Sequence, residues 1–331
     1  MSLPLVSVLV PVFRVEPYME QCTRSVLEQT YQNIEYIFVD DATDDASIDI
    51  LERIITDYPD RQKCVHIIRH QNNRGLAAAR NTAVEACHGD FVFHVDSDDW
   101  IETNAIELMV RKQQQTNADI VSAESFNNKN GKDTRHLTSG WDLDKTSLLK
   151  GILTYKVSTS IWRRLIRRNL YIDNKIVCDE EGSLGEDFQV LPKLVYYAKI
   201  VAGIDNPIYH YNTLNKSSYM NSVHNSLEVQ KQGLVSAEAI AMFFSDKEKI
   251  YKDCVLGIGV KYMHFRMIQN VLNRNKRFYF YFLNQIKNTN IDQWKFVRWD
   301  NPFVRHIESH YLALLLQLYF NSLIRKLKVI Y

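Results

Sequence analysis

Short apolar runs alternate with amphipathic segments along the first 100 residues. The runs are rich in β-branched and aromatic residues and lie at 6–13, 36–39, 65–68 and 91–95. The segments between them have apolar residues at helical spacing, at about 18–29, 48–55 and 76–86. A run without polar alternation is typical of a strand buried on both faces of a sheet. The alternation therefore predicts βαβ units and an α/β fold with a doubly wound, mostly parallel sheet flanked by helices.

The pattern weakens beyond residue 120, where polar residues become more frequent. The polar stretch 126–139 predicts a loop, and 160–169 has the spacing of a basic amphipathic helix. Residues 187–197 predict a helix behind an acidic start. After residue 215 only helical patterns remain.

The chain of 331 residues is long enough for one large α/β domain with an appendage, or for two domains. We expect that domain at 1–215, with a nucleotide half at 1–120 and an acceptor half at 121–215. A mainly helical extension is expected at 216–331. Basic residues outnumber acidic ones in 261–331, although the formal charge of the whole chain is only +1. The extension is therefore basic and the body mildly acidic.

The cysteines and the amino terminus bear on the compartment. The five cysteines are odd in number, widely spaced and without a CxxC pair, which is typical of a reducing cytosol. The first residues lack the basic and apolar regions of a signal peptide, and the run 5–13 is too short to span a bilayer. We therefore expect a cytoplasmic protein.

The stretch 311–328 is apolar and then basic. It falls short of the roughly 20 residues that a membrane-spanning helix needs. Two interpretations stay open: a peripheral contact with anionic lipid on the inner face of the cell membrane, or a core helix or dimer contact with a solvated basic end. No RNA- or DNA-binding motif supports a nucleic-acid partner.

Two acidic clusters follow predicted strands. Asp40 and Asp41 end the second strand, and Asp96-Ser-Asp-Asp99 ends the fourth. Ligands of doubly wound sheets bind at the carboxyl ends of the strands, so both clusters are expected on one rim. Three carboxylates in four residues repel one another unless a cation neutralises them, and Mg²⁺ or Mn²⁺ selects such carboxylates together with phosphate oxygens. The alternative is a solvated turn that caps the helix expected near Thr103.

An EF-hand loop starting at Asp96 is excluded. Its sixth position requires a glycine for the sharp turn, and Ile101 stands there.

Other candidate residues have equally plain alternatives. Asp41 is suited to accept a hydrogen bond from the imide N–H of a base, or it caps a helix. Arg80 lies near the start of a helix and reaches either a phosphate or a partner within that helix. Glu186 and Asp187 open a helix, where a carboxylate serves as a general base or only meets the helix dipole.

Six motifs together resemble the family-2 inverting glycosyltransferases of the GT-A fold in order and spacing, over about residues 5–215. The motifs are Val6-Ser-Val-Leu-Val-Pro-Val-Phe13, Ser25-Val-Leu-Glu-Gln-Thr-Tyr31, Val39-Asp-Asp-Ala-Thr-Asp44, Asn73-Arg-Gly-Leu-Ala-Ala-Ala-Arg-Asn81, Asp96-Ser-Asp-Asp99 and Gly185-Glu-Asp-Phe188. Each motif is weak alone, but six in order are specific.

The resemblance implies a nucleoside-diphosphate sugar as donor, with UDP or dTDP as the carrier. The base would lie against the backbone of Pro11 and Val12 and donate its imide N–H to Asp41. Arg80 would lie beside the nucleotide.

The resemblance also implies a metal, Mn²⁺ or Mg²⁺, at the acidic cluster. Asp96 and Asp98 would contact the ribose and the donor sugar. Asp99 resembles the carboxylate that binds the ion bridging the diphosphate, with Asp98 as a second ligand. Which of the three carboxylates touches the ion is left open by the sequence.

Asp187 resembles the catalytic base, which would deprotonate an acceptor hydroxyl as that hydroxyl attacks the anomeric carbon. Glu186 and Trp162 are assigned to the acceptor region. The implied enzyme is a hexosyl- or N-acetylhexosaminyl-transferase that acts on a surface polysaccharide or a lipid-linked glycan.

Two positions depart from the family pattern. Ala42 replaces the usual glycine after the Asp pair and should tolerate a positive φ poorly, which would change the turn. The segment 208–212 resembles a family strand that often ends in an arginine, and Asn212 lacks that charge. His210 or Lys216 would therefore supply a phosphate or metal contact there. The alternative for His210 is a packed strand residue.

Two other functions compete with glycosyl transfer. A nucleotidyltransferase would carry a Gly-rich, basic triphosphate loop early in the chain, and near 11–17 only Arg14 is basic. A catalytically silent sugar-nucleotide-binding or scaffold protein would retain the fold without turnover, and the departures at 42 and 212 keep this alternative open.

Overall fold

The computed structural model describes residues 3–129, 131–182, 184–215 and 226–256, together with isolated positions between 258 and 285. The chain divides into two compact units, Met1–Ser218 and Tyr219–Tyr331. The first unit carries every candidate site residue named above. Of these, Lys216 lies outside the described residues, as does the stretch 311–328.

Four parallel strands form the amino-terminal part of the sheet, as the apolar runs predict. They are β1 (Val6–Val12), β2 (Ile34–Asp40), β3 (Val65–Arg69) and β4 (Phe91–His94). The helices that connect them are α1 (Glu16–Leu27), α2 (Ser47–Ile55), α3 (Pro59–Gln62) and α4 (Leu76–Ala86). The alanines at 77, 78 and 83 on α4 are fully buried. This confirms the predicted βαβ organisation.

The rest of the first unit completes the sheet. Its strands are β5 (Trp100–Ile101), β6 (Ile120–Lys129), β7 (Lys132–His136), β8 (Arg164–Arg167) and β9 (Val201–Asn212). Its helices are α5 (Ala105–Thr116), α6 (Lys145–Leu153), α7 (Asn169–Asp173) and α8 (Glu186–Tyr197), with a 3₁₀ turn at Glu180–Gly182.

The strand order is β3-β2-β1-β4-β8-β6-β9-β5, with β7 paired to β6. The sheet is mixed, because β8 runs antiparallel to both of its neighbours, β4 and β6. Because β8 is antiparallel to both β4 and β6, β6 runs in the same direction as β4. Strand β9 is parallel to β6, so both run the same way as β1, β2 and β4. The carboxyl ends of these five strands therefore lie along one rim.

Two secondary-structure predictions are wrong. The stretch 126–139 is not a loop: β6 and β7 form a hairpin that turns at Gly131, with φ of 72°. The stretch 160–169 contains β8 instead of a helix. Arg164, the first residue of β8, is fully buried and donates hydrogen bonds to three carbonyl oxygens and to the Ser122 hydroxyl. Buried polar side chains with tertiary partners thus imitate the pattern of exposed segments.

The second unit contains two described helices, α9 (Leu227–Phe243) and α10 (Lys249–Val255). Ser226 caps the first of them by accepting a hydrogen bond from the Val229 N–H. Helices are what the sequence predicts after residue 215. Within the described part of the chain, no helix has both the length and the apolar character needed to cross a membrane.

Ala42 takes a left-handed backbone with φ of 56°, although the sequence suggests that alanine would resist it. This conformation costs an L-residue about 1–2 kcal/mol. We therefore expect Ala42→Gly to raise the free energy of unfolding by about 1 kcal/mol in urea titrations. Ala239, inside α9, is the control: Ala239→Gly should lower stability by about 1 kcal/mol, as glycine does in the interior of a helix. A loss of stability in Ala42→Gly as well would contradict the strain at this turn.

Candidate active site

The acidic turn at 96–99 follows β4 at the rim, and its last carboxylate is held inside the protein. Asp99 is 1% exposed. Its Oδ1 accepts a hydrogen bond from the Asn212 N–H at 2.7 Å, and its Oδ2 accepts one from the Tyr209 hydroxyl at 2.8 Å. Direct metal contact by Asp99 would have to use the second lone pair of an oxygen that already accepts a hydrogen bond. The carboxylate thus fastens the turn to β9.

Asp96 and Asp98 are the more accessible members of this turn. Asp98 Oδ2 accepts a hydrogen bond from Asn215 Nδ2 at 2.8 Å, and the Asp98 carbonyl accepts one from Asn212 Nδ2 at 3.2 Å. Asn212, which stands where an arginine is expected, therefore anchors the turn through both its backbone and its side chain.

The electrostatics of the turn fit a bound cation. Burial, followed by the charge of Asp96, raises the pKa of Asp98 to about 6. Burial and the neighbouring carboxylates also raise the pKa of Asp99. Within the described residues, no group of three or more acidic, histidine or cysteine side chains converges to enclose an ion. The oxygen donors suit Mg²⁺ or Mn²⁺, which take one or two carboxylates and complete their shell with phosphate oxygens and water.

Arg80 lies at the centre of the rim, enclosed by carboxylates. Its Nη2 is 2.9 Å from Asp96 Oδ1, 3.5 Å from Glu186 Oε1 and 3.7 Å from Asp187 Oδ1. The side chain is only 3% exposed. Burial disfavours its charge, but the three carboxylates prevail and raise the pKa of the guanidinium. Arg80 therefore joins the acidic turn to the start of α8.

The base candidate Asp187 lies in the first turn of α8, which begins after the left-handed Gly185, with φ of 84°. The backbone N–H of Ile161 donates to its carboxylate. Its Oδ1 is buried and has no hydrogen-bond partner among the described residues. Burial first, and the charge of Glu186 second, raise the pKa of Asp187 well above its usual value. A carboxylate oxygen that lacks a donor is suited to accept a proton.

Asp41 is buried and fastens the loop before α4. Its Oδ1 accepts the Arg74 N–H at 2.8 Å and contacts His70 Nδ1 at 2.7 Å, and its Oδ2 accepts the Gly75 N–H at 2.7 Å. The Asp41 N–H in turn donates to the carbonyl of Val12 at 3.0 Å. The structure thus brings Asp41 next to the end of β1, where Pro11 and Val12 are buried. An imide N–H would have to share or replace one of its hydrogen bonds.

Trp162 stands in an aromatic stack near the base. Its ring centroid is 4.4 Å from that of Tyr209 and 5.6 Å from that of Tyr211. The preceding residue, Ile161, is the one that donates to Asp187. The stack therefore connects Trp162 with both the acidic turn and α8.

His210 is held in a separate packed cluster. Its ring stacks on Trp100 at 5.0 Å and on Phe126 at 4.9 Å. Its Nε2 lies 2.8 Å from Glu102 Oε1, and its Nδ1 lies 3.0 Å from Asp133 Oδ2. These contacts favour the packed strand residue over the metal or phosphate ligand.

Comparison with known families shows which family the chain belongs to. A model described as glycosyl transferase family 2 matches residues 7–175 of the 331. The chain belongs to glycosyltransferase family 2. This glycosyltransferase is 31% identical over 244 residues to the uncharacterized glycosyltransferase EpsJ of Bacillus subtilis, which covers 71% of this chain and 70% of EpsJ.

Solved structures show the fold of this glycosyltransferase. Staphylococcus aureus TarS in complex with UDP-GlcNAc has a TM-score of 0.58 at 17% identity, covering 86% of this chain and 90% of that chain. A mannosyltransferase of Pyrobaculum calidifontis, in complex with GDP-Man and Mn²⁺, has a TM-score of 0.54 at 15% identity, covering 98% and 88%. The expected GT-A fold, with a helical region after it, is confirmed.

Several residues that shape the glycosyltransferase site carry no signal in the sequence. Tyr209 and Asn215 hold the acidic turn, and the Ile161 N–H holds Asp187. Tyr211 extends the aromatic stack. None lies in a motif with recognisable chemistry. Their roles arise only because β9 and the segment before β8 fold against the rim.

Proposed function

We propose that this glycosyltransferase moves a hexose or an N-acetylhexosamine from a nucleoside diphosphate, UDP or dTDP, to a hydroxyl of a surface polysaccharide or lipid-linked glycan. The transfer would be a single displacement with inversion. The observation that carries this proposal is the Asp187 carboxylate, which has an oxygen without a hydrogen-bond partner among the described residues. The same guanidinium, that of Arg80, lies within 4 Å of both Asp187 and Asp96.

In this mechanism, Asp187 takes the proton of the acceptor hydroxyl while the oxygen forms a bond to the anomeric carbon. The bond between that carbon and the diphosphate oxygen breaks, and the nucleoside diphosphate leaves with the electron pair. Attack from the face opposite the leaving group inverts the anomeric centre. Arg80 holds the base and the acidic turn in a fixed relation.

We propose Asp98 as the carboxylate that contacts a divalent cation, with Asp96 beside it and Asp99 as a positioning residue. This differs from the sequence expectation, because Asp99 is 1% exposed and both of its oxygens accept hydrogen bonds from β9, whereas Asp98 is partly exposed. A bound Mn²⁺ or Mg²⁺ would supply positive charge beside the leaving diphosphate. A mannosyltransferase of the same fold contains Mn²⁺, which supports this proposal.

The base of the donor would lie between the end of β1, at Pro11 and Val12, and the loop that Asp41 fastens. UDP is the first carrier to test, since TarS of the same fold is in complex with UDP-GlcNAc. The acceptor would approach along Trp162 and Glu186. We place the catalytic domain at 1–215 and the extension at 216–331, in the cytoplasm, with peripheral membrane contact through 311–328 as part of the proposal.

Calorimetric titration with UDP, dTDP, GDP and CDP, in Mn²⁺ and then in chelator, tests the donor site. We expect UDP or dTDP to bind at least about tenfold more tightly with Mn²⁺, because the acidic turn repels a bare diphosphate. Asp98→Ala should abolish this difference. Asp49→Ala, which removes an exposed carboxylate from the outer face of α2, should leave it unchanged.

Asp99→Asn distinguishes the role of Asp99 from that of Asp98. The isosteric amide retains one acceptor oxygen for β9, so the metal dependence should survive in weakened form. Equal loss in Asp98→Ala and Asp99→Asn would return Asp99 to the metal site. Binding of none of the four nucleotides would overturn the donor site.

A further inference from the structure

A cleft lies in the acceptor half of this glycosyltransferase. Its volume is about 470 Å³, which is within the range of small-ligand sites. Its walls come from the segment 137–143, the turn at 156–157, and the side chains of Glu124, Arg135 and Asp205 on or beside β6, β7 and β9. None of the residues assigned above to donor binding or proton transfer lines it.

The chemistry of the lining favours a carbohydrate. Trp141 supplies an indole surface, Lys156 a cationic donor and Asp142 a carboxylate acceptor. Arg135 and Asp205 form an ion pair with each other in the same wall. Because both signs of charge line one cleft, an anion gains no net attraction, whereas hydroxyl groups find donors and acceptors. The indole suits the apolar C–H face of a sugar ring.

The floor of the cleft is rigid. Glu124 is 2% exposed, and its carboxylate accepts hydrogen bonds from the Thr138 N–H at 3.1 Å and the Ser139 hydroxyl at 2.7 Å. Arg163, fully buried, donates to the Thr138 hydroxyl at 3.1 Å, and its Nε has no partner among the described residues. A preformed floor lowers the entropy lost when a ligand binds.

A glycine allows Trp141 to sit in this wall. A Cβ atom at Gly203, on β9, would lie 2.4 Å from the carbonyl oxygen of Trp141 and 2.6 Å from its Cα. The backbone of the segment 137–143 therefore packs directly on β9. The position of the indole is set by the sheet and not by a free loop.

The cleft is connected to the proton-transfer centre through one aromatic contact. Lys156 in its wall follows Tyr155, whose ring stacks on Phe188 with centroids 4.8 Å apart. Phe188 directly follows Asp187 in α8. On the other side, Arg163 beneath the floor follows Trp162 of the aromatic stack. The wall of the cleft is thus in contact with α8, the helix that carries Asp187.

We infer that the cleft around Trp141 is a subsite for an inner, neutral sugar unit of the acceptor glycan, separate from the unit that receives the transferred sugar. This inference rests on the proposed function, because it assumes a glycan acceptor. The subsite holds the acceptor chain while its terminal hydroxyl lies at Asp187. It makes a longer acceptor a better substrate without contacting the reacting atoms.

A microarray of neutral and acidic oligosaccharides of increasing length, probed with the full chain in chelator, tests this subsite. We expect binding to neutral oligosaccharides above a minimum length. Trp141→Ala should weaken it at least about tenfold, in line with the loss of a buried aromatic anchor. Trp141→Phe should restore part of it. Lys156→Ala, a change at an exposed side chain that leaves the packing intact, should weaken it about threefold.

Arg111→Ala is the matched control, because Arg111 forms an exposed ion pair with Glu107 on α5, outside the cleft. It should bind as the unchanged protein does. UDP binding by each variant reports on the fold and the donor site. Oligosaccharide binding that survives both Trp141→Ala and Lys156→Ala would overturn the subsite, as would binding of acidic oligosaccharides alone. So would a protein that binds UDP but no oligosaccharide, whereas failure to bind any nucleotide overturns the proposed function itself.

Discussion

Asp187→Asn is expected to lower the rate of sugar transfer by about 10³-fold or more, which is the contribution of a general base. The amide keeps the shape of the carboxylate and its hydrogen bond from the Ile161 N–H, but it does not accept a proton at neutral pH. Because Asp187 does not touch the nucleotide in the proposed site, UDP binding should stay within about twofold. Release of UDP in a coupled assay measures the rate, and calorimetry measures the binding.

Glu186→Gln is the matched control for this change. The two carboxylates are neighbours in the first turn of α8 and both face Arg80, but Glu186 Oε1 is hydrogen-bonded to the guanidinium at 3.5 Å. We expect Glu186→Gln to keep at least about a tenth of the rate. The opposite result, with Asp187→Asn active and Glu186→Gln silent, would transfer the role of base to Glu186.

The pH profile gives the same pair a second test. Burial and the charge of Glu186 raise the pKa of Asp187, so protonation should inactivate the base at a pH above the ordinary aspartate range. We expect kcat/KM to fall as the pH falls through that raised value. In Glu186→Gln, one of the causes of the shift is gone, and the acid limb should move to lower pH. A limb that moves to higher pH would contradict the proposed coupling.

The sequence predicts the amino-terminal half of this fold well, because its strands are buried on both faces and its helices have regular apolar spacing. Helix α4, at Leu76–Ala86, begins and ends where the pattern predicts. In the acceptor half, the same reasoning from local sequence fails. Ser122 on β6 and Arg164 on β8 are buried polar residues that hydrogen-bond to each other. A window of local sequence does not distinguish such residues from polar residues in water.

The candidate site shows the same limit. Motifs point to the carboxylates at 96–99 and to Asp187, but the motifs do not order the three aspartates by exposure. That order depends on Tyr209 and Asn212, which are 110 and 113 residues away from Asp99 in the chain. Likewise, Arg80 is expected beside the nucleotide, whereas its enclosure by carboxylates depends on Glu186, 106 residues away. Its contact with a nucleotide stays a prediction.

Arg80→Met is expected to lower the free energy of unfolding by about 3–5 kcal/mol, because it leaves buried carboxylates without their counter-charge. Asp96, Glu186 and Asp187 all lie within 4 Å of this one guanidinium. Urea titration at neutral pH measures the loss. At a pH low enough to protonate these carboxylates, the difference between the variant and the unchanged protein should shrink, since the uncompensated charge is then gone.

Arg74→Met is the control for Arg80, because Arg74 also pairs with a carboxylate 106 residues away, Glu180, but with both side chains 43% exposed. An exposed pair contributes at most about 1 kcal/mol. Arg80→Lys should recover part of the stability, yet a point charge does not replace a planar fork that faces several carboxylates. Transfer should therefore stay impaired in Arg80→Lys after folding is restored. If Arg80→Met were as mild as Arg74→Met, Arg80 would not be the residue that holds the base and the acidic turn together.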